Sequence, residues 1–348
     1  MKIKTVAYKG SKRKMLEDIE FYAKEVGAKT FFDGFSGTGI VSAFMRSKGY
    51  QVEANDLNYS SYIYGSVFLH GFNPSVVDHH LDVMNNSLTP LPGWLTSNYS
   101  GTRERLVRGT GGSIEERPLG YTANNARILD AAREYVESIT PISVNDRNAL
   151  TFSVVLAADR VFNNSNDQKS ALKEWSKASL AIPTFVSPTL ISGPVGTQHV
   201  GDILNVAVKS DVAYYDPPYT HGVLYASCYH LNDSISKWDK PSLDDSYAIP
   251  RPESVCFRKN KQKAGGFYNK ESAISAFRTI LNNSDCKRLI FSYSDAPRNT
   301  LSIQELVSIC SERGNVKVVS RKHKICTQPK QMKKVSEQLK EFFIIIDT

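Results

Sequence analysis

The chain has 348 residues, 41% of them hydrophobic, with a formal net charge of +8, which excludes a disordered chain and supports one large α/β domain carrying a smaller inserted one. The positive balance favours an anionic partner, nucleic acid first among them. Five cysteines (Cys228, Cys256, Cys286, Cys310, Cys326), odd in number and without a Cys-x-x-Cys pair, speak against a disulfide framework or a zinc site and for a reducing cytoplasm.

Met1-Lys-Ile-Lys-Thr-Val lacks the apolar core of a signal peptide, and no stretch approaches the ~20 apolar residues of a membrane span, so a soluble protein is expected. Tyr8-Lys9-Gly10-Ser11-Lys12 then offers an aromatic face, a flexible turn and a cation, suited to a ligand with an apolar stem and a carboxylate; a plain basic arm is the other reading. A strand is predicted at Thr30–Asp33. It runs into Asp33-Gly34-Phe35-Ser36-Gly37-Thr38-Gly39, which opens a helix at Ile40–Lys48, so glycines let backbone approach a ligand at a positive helix end. The next strand, Gln51–Asn55, closes on Asn55-Asp56, where a carboxylate can accept from both ribose hydroxyls. Together these indicate a nucleoside cofactor. A dinucleotide fold would need a third glycine where Ile40-Val41-Ser42 stands.

From Asp56 to the next clear parallel strand a doubly wound sheet needs only about two crossover units of ~30 residues each. The surplus, roughly Ser75 to Val200, holds helical patterns at Asn124–Ile139 and Ser143–Val161 and a Gly/Arg loop from Ser100 to Arg117, and reads as a separate lobe. Asp202 follows, in Val200-Gly201-Asp202-Ile203-Leu204, as a carboxylate for an adenine amino group or a solvated loop acid. The strand Val212–Tyr215 stops at Asp216-Pro217-Pro218-Tyr219. Two prolines fix their own φ angles and supply no N–H, so the turn is stiff. Asp216 and the Pro217 carbonyl can accept both hydrogens of an aromatic amine, freeing its lone pair for attack on a methyl sulfonium, while Tyr219 offers a face for an unstacked base. A helix at Lys270–Asn282 precedes a fourth strand, Arg288–Tyr293. The run from Val316 and the run from Glu341 to Asp347 have no helix-length crossover between them, which predicts a hairpin with one antiparallel strand.

In this order, Tyr-Lys-Gly-Ser-Lys, Asp-Gly-Phe-Ser-Gly-Thr-Gly, Asn-Asp, a long insertion, Gly-Asp-Ile, Asp-Pro-Pro-Tyr and Phe291-Ser292-Tyr293-Ser294 resemble the Dam-like class of S-adenosylmethionine-dependent adenine-N6 DNA methyltransferases. The resemblance implies a doubly wound, mostly parallel seven-stranded sheet with an antiparallel C-terminal hairpin. It assigns 1–74 and 200–348 to the catalytic domain and 75–199 to an inserted, mainly helical target-recognition lobe. It implies that Tyr8 and Lys12 meet the cofactor's methionine part, that Asp33, Phe35, Gly37 and Gly39 wrap it, that Asp56 holds its ribose, and that Asp202 meets its adenine. Asp216, Pro217, Pro218 and Tyr219 would grip a flipped adenine in double-stranded DNA, with Asp216 also beside the cofactor. Thr220-His221, after the tyrosine, departs from the Asn or Ala common in that class.

Three basic segments compete for DNA. Arg103, Arg105, Arg108 and Arg117 lie in the insertion, where the resemblance places sequence readout. Arg258 and Lys259, with Arg251, Lys261 and Lys263, and the group Arg321, Lys322, Lys324, Lys330, Lys333 and Lys334 suit phosphate contacts. His79-His80 lacks partners at metal-ligand spacing, so no metal is expected. Trp94, Trp175 and Trp238 read as core or interface, and Tyr229-His230 as candidates for the target pocket. Alternatives are an RNA or cytosine-N4 amino methyltransferase, or a DNA-binding protein that keeps the fold without catalysis. A cognate restriction endonuclease acting separately is a further possible partner.

Overall fold

The computed structural model describes residues 3–8, 10–106, 114–164, 167–219, 225–255, 266–322 and 340–348. In chain order its elements are α1 (Leu16–Glu25), β1 (Thr30–Asp33), α2 (Ile40–Ser47), β2 (Gln51–Asp56), α3 (Tyr59–His70), α4 (Pro74–Asn86), α5 (Trp94–Tyr99), β3 (Thr102–Leu106) and β4 (Ile114–Pro118). They continue with α6 (Ala123–Ser138), α7 (Val144–Val161), β5 (Thr197–Val200), β6 (Val208–Tyr215), α8 (Tyr225–Cys228), α9 (His230–Lys237) and the two-residue strands β7 (Leu243–Asp244) and β8 (Arg251–Pro252). The last are α10 (Lys270–Asn283), β9 (Ser284–Ser294), α11 (Ile303–Cys310), β10 (Asn315–Lys322) and β11 (Lys340–Asp347).

Two compact units partition the chain: residues 1–8, 71–190 and 226–260 form one, and 9–70, 191–225 and 261–348 the other. The second holds a seven-stranded sheet in the order β10-β11-β9-β6-β1-β2-β5. β1 pairs parallel with β2 and β6, and β6 with β9, whereas β11 runs antiparallel to both β9 and β10. The predicted hairpin therefore supplies the antiparallel strand, set inside the sheet with β10 at its edge. β5 escapes sequence reading, because Thr-Gln-His-Val is a polar edge strand with only Gln198 buried and gives no apolar run to detect.

Both faces of this sheet are covered, which is why its central strands read as continuous apolar runs. Phe32, Ala213, Tyr215, Leu289, Phe291, Tyr293, Ile344 and Ile346 point to one face and pack with Phe277 and Ile280 of α10 and Leu306 and Ile309 of α11. The alternate residues take the other face, where Tyr22 of α1 meets Phe343 edge-on at 5.9 Å and Phe31 meets Tyr50 at 6.3 Å. Capping boxes start both covering helices, Asn269 with Ser272 for α10 and Ser302 with Glu305 for α11, satisfying amides that have no intrahelical acceptor.

The other unit is mainly helical. Ser143 caps α7 and Thr122 caps α6, and Asp130 of α6 accepts from the amides of Leu95 and Thr96 at the start of α5. Trp94 and Trp238 meet at 6.4 Å, and the buried Arg133 guanidinium lies 5.3 Å over the Trp238 ring. The segment expected to be a Gly/Arg loop instead forms the hairpin β3–β4, with Arg103 opposite Arg117. Alternation of long side chains on either side of a glycine-rich stretch is a hairpin signal that its charge obscured.

Within the sheet unit, Arg46 is 5% exposed and donates to the carbonyls of Phe68, Pro194 and Gly193 at 2.5, 2.9 and 3.3 Å, fastening α2 and α3 to the approach to β5. Replacing it by leucine strands three carbonyls, and Arg46→Leu is expected to lower the urea unfolding free energy by about 3 kcal/mol. A loss below about 1 kcal/mol would show that these bonds are solvent-replaceable.

Candidate active site

Chain order reverses between β1 and β6: β1 is followed by β2 on one side and, much later, by β6 on the other. Ligands of open α/β sheets bind at the carboxyl ends of the strands beside such a switch point. Asp33 ends β1, Asp56 ends β2, and Asp216 follows the last residue of β6, so three carboxylates share that edge. Backbone bonds tie the turns there, Gly34 N–H to the Tyr214 carbonyl at 2.9 Å and Ser36 N–H to the Asn55 carbonyl at 3.0 Å.

The glycine turn has the form its residues demand. Gly37 and Gly39 take φ of 50° and 71°, where a side chain is strained, and a Cβ on Gly39 would stand 2.9 Å from the Phe68 ring. Asp56 braces the turn, one oxygen accepting from Gly37 N–H at 2.8 Å and the other from Asn58 N–H at 2.9 Å. Asp33 is buried and accepts from the Ser42 hydroxyl at 2.6 Å. Burial pushes its carboxyl up to about 7, against the Ser42 hydrogen bond, and the charges of Asp216 and Asp56 add to the rise. Asp33 Oδ1 and Asn55 Oδ1 are buried without a hydrogen-bond partner among the described residues. Unmet acceptors beside a glycine turn fit a hydroxyl- and amine-bearing nucleoside. Phe35 packs edge-on against Tyr215 at 6.4 Å and Phe267 at 5.5 Å. Asp202 is exposed and accepts from Leu204 N–H at 3.1 Å, starting a one-turn 3-10 helix, Ile203–Asn205.

Around the tetrad, Lys12 sits on a 3-10 turn with its side chain only 5% exposed, and its ammonium lies 2.9 and 2.8 Å from the two oxygens of Asp216. The same nitrogen reaches the Gly10 carbonyl at 3.1 Å and Glu341 at 3.3 Å. Burial pushes the Asp216 carboxyl up to about 6 despite Lys12, with Glu341 adding to the rise. Burial alone would lower the Lys12 ammonium, but Asp216 and Glu341 outweigh it and hold the ammonium well above its usual range. Asp216 keeps 21% of its side chain exposed, so the pair is open on one side. Tyr219 is half-buried; its carbonyl accepts from Thr300 N–H at 2.8 Å and its ring lies 5.0 Å from Tyr293 and 5.9 Å from the Lys12 ammonium.

The structure thus gathers Lys12, Asp33, Phe35, Gly37, Gly39, Asp56, Asp202 and Asp216–Tyr219 into the sheet unit. Tyr8 belongs to the helical unit, where its ring stacks on Tyr229 at 4.2 Å. Arg103 and Arg117 are also in that unit, on neighbouring strands, paired with Asp245 and Glu115 at 3.3 and 2.8 Å. Arg105 lies in β3, while Arg108, Arg258 and Lys259, like Lys261, Lys263, Lys324, Lys330, Lys333 and Lys334, lie outside the described residues. Arg321 pairs with Asp18 at 2.7 Å. Sequence reading passed over Glu341 as a site residue. Its signal is a carboxylate just ahead of the apolar run Phe342–Ile346, where a surface position is the ordinary expectation.

A mostly parallel seven-stranded sheet whose one antiparallel strand comes from a C-terminal hairpin, with a glycine turn and carboxylates at its switch point, defines an S-adenosylmethionine-dependent methyltransferase. A family model, D12 class N6 adenine-specific DNA methyltransferase, matches residues 8–248, and the chain belongs to that family. It is 26% identical to "Type II methyltransferase M.CviAII" of Paramecium bursaria Chlorella virus 1, over 92% of each chain, and 24% identical to "Type II methyltransferase M.NlaIII" of Neisseria lactamica, over 91% of each. Among solved structures, magnesium protoporphyrin IX methyltransferase from Synechocystis PCC 6803 aligns over 96% of this chain and 79% of its own with 8% identity and a TM-score of 0.34. The protein is therefore an enzyme that methylates adenine in DNA at N6, in a site-specific manner, with S-adenosylmethionine as methyl donor.

Lys12→Met leaves Asp216 and Glu341 buried without their cation, and is expected to lower stability at pH 8 by about 3 kcal/mol. The Asp216 carboxyl, already raised by burial, then loses the cation that opposes the rise, so the deficit grows as pH rises through its folded value and shrinks towards pH 5. Denaturation of wild type and variant across this range checks the sign; a deficit independent of pH contradicts the pairing.

Proposed function

We propose that Asp216–Tyr219 is the point at which the target adenine is methylated. The observation that carries this reading is a carboxylate left about one-fifth exposed at the switch point and held by the buried ammonium of Lys12. When bound, S-adenosylmethionine supplies an electrophilic methyl group on a positively charged sulfur. Gly37 and Gly39 leave room for it, Asp56 and Asp33 offer acceptors, Phe35 and Asp202 flank it, and Tyr8 and Lys12 remain candidates for its methionine end. Asp216 and the Pro217 carbonyl accept the two amine hydrogens, which draws the nitrogen towards tetrahedral geometry and frees its lone pair. Pro218 keeps the turn rigid, and Tyr219 carries the extruded base on its ring face. The methylated nitrogen is strongly acidic before it sheds its proton, so no strong base is required.

In the same reading residues 75–199 form the target-recognition lobe, Arg103, Arg105, Arg108 and Arg117 read or grip the DNA, and Arg258 and Lys259 contact phosphate. The relatives' type II names support a mark that protects DNA from a separate endonuclease. Buried thiols at Cys286 and Cys310 accord with a cytoplasmic setting, and no helix among the described residues is long and apolar enough to cross a membrane.

Asp216→Ala is expected to lower kcat by about three orders of magnitude or more while the Kd for S-adenosylmethionine stays within a few fold; near-normal turnover contradicts the mechanism. Tyr219→Ala loses activity that Tyr219→Phe and Tyr219→Trp largely keep, since stacking needs only an aromatic face. Because Asp216 must be ionised to accept, kcat/KM in the wild type is expected to fall about tenfold per pH unit below a midpoint near 6. A flat profile between pH 5 and 8 contradicts that role.

A further inference from the structure

Asp216 is not the only carboxylate at the Lys12 ammonium: a second one, Glu341, is buried beside it. Glu341 is only 3% exposed and is the second residue of β11, opposite Ser294 of β9. One of its oxygens lies 3.3 Å from the Lys12 ammonium and accepts from the Ser292 hydroxyl at 2.8 Å. A carboxylate this deep costs free energy unless its partners are fixed, and a neutral residue at the head of β11 would fill the same place.

We propose that Glu341 is a positioning residue for methyl transfer: held by Ser292, it anchors Lys12 against Asp216 and takes a share of its charge. The inference rests on the reading that Asp216 receives the amine. A single ammonium bound to a single carboxylate would largely neutralise it and weaken it as an acceptor. Two carboxylates around one ammonium carry a net negative charge, and Asp216 keeps the portion directed to the substrate. Geometry supports the sharing, since Lys12 has three hydrogens and three acceptors within reach: Gly10, Asp216 and Glu341. The other groups facing this cluster from neighbouring elements are Tyr214 of β6, whose buried phenol neighbours Ser292, Tyr219 of the tetrad, which acts on Lys12, and Asp33 of β1. Burial holds the Tyr214 phenol well above its usual range, so Glu341 is the nearby group whose charge can be removed with little change of shape.

Glu341→Gln keeps an oxygen for Ser292 and removes the charge. It is expected to lower kcat about tenfold at pH 8 and to move the acid midpoint of kcat/KM down by about half a unit or more, since a nearby negative charge raises a carboxyl pKa. The Kd for S-adenosylmethionine, measured by calorimetry, stays within a few fold of the wild-type value, a smaller change than that in kcat. Glu341→Asp, which keeps the charge but withdraws it by one methylene, falls between, about threefold slow. Wild-type turnover and midpoint in Glu341→Gln overturn the proposal. If that variant melts below the assay temperature, Glu341→Asp decides alone: a threefold loss at unchanged cofactor affinity supports the role, and wild-type turnover overturns it. Asp216→Asn in the same assays separates the two readings. If it turns over normally, the role of Asp216 fails; if it is inactive while Glu341→Gln behaves as wild type, only the role of Glu341 fails.

Discussion

Placing Asp216 in a buried setting at the end of β6 sets requirements for much of the sheet unit. A carboxylate taken from water needs a cation, and Lys12 supplies it from the amino-terminal turn at 2.8 Å. That cation is itself buried and needs further acceptors, which come from Gly10 and from Glu341 on the last strand. Glu341 in turn requires the Ser292 hydroxyl of β9. One ionised group thus links segments from the start to the end of the sequence, and partial satisfaction would be worse than none.

The sheet makes this linkage possible. Parallel pairing of β2, β1, β6 and β9 turns the carboxyl ends of these strands to one edge, so the glycine turn, Asp56 and the tetrad meet although residues 33 and 216 are far apart in sequence. Antiparallel β11 enters the sheet in the opposite sense, so Glu341, near its start, arrives at the edge where the neighbouring β9 ends. That reversal is the topological reason an acidic residue at the start of a strand can reach a site otherwise built from strand ends and turns.

Most of the sheet was legible because its central strands are buried on both faces and punctuated by turn residues: Thr30–Asp33 and Ile40–Ser47, the latter opened by Gly39, fall where the pattern put them. Strands β6 and β9 begin several residues earlier than expected, since Val208–Ser210 pair with Ser284–Cys286 although most of the residues there are polar. The polar edge strand β5 and the hairpin β3–β4 were hidden for the same reason: charged or polar alternation carries little hydrophobic contrast. At the site, Asp33, Asp56 and Asp216 could be read from motifs, whereas Glu341 could not, because its burial depends on pairing across more than three hundred residues.

Asp216–Tyr219 is proposed to receive an adenine of a defined DNA sequence for methylation at N6. The most direct test is expression in a host that lacks DNA methylation, followed by modified-base sequencing of the host genome. The account predicts N6-methyladenine confined to one short recognition sequence and no modified cytosine. Methylation of cytosine, or adenine methylation without sequence preference, would contradict it.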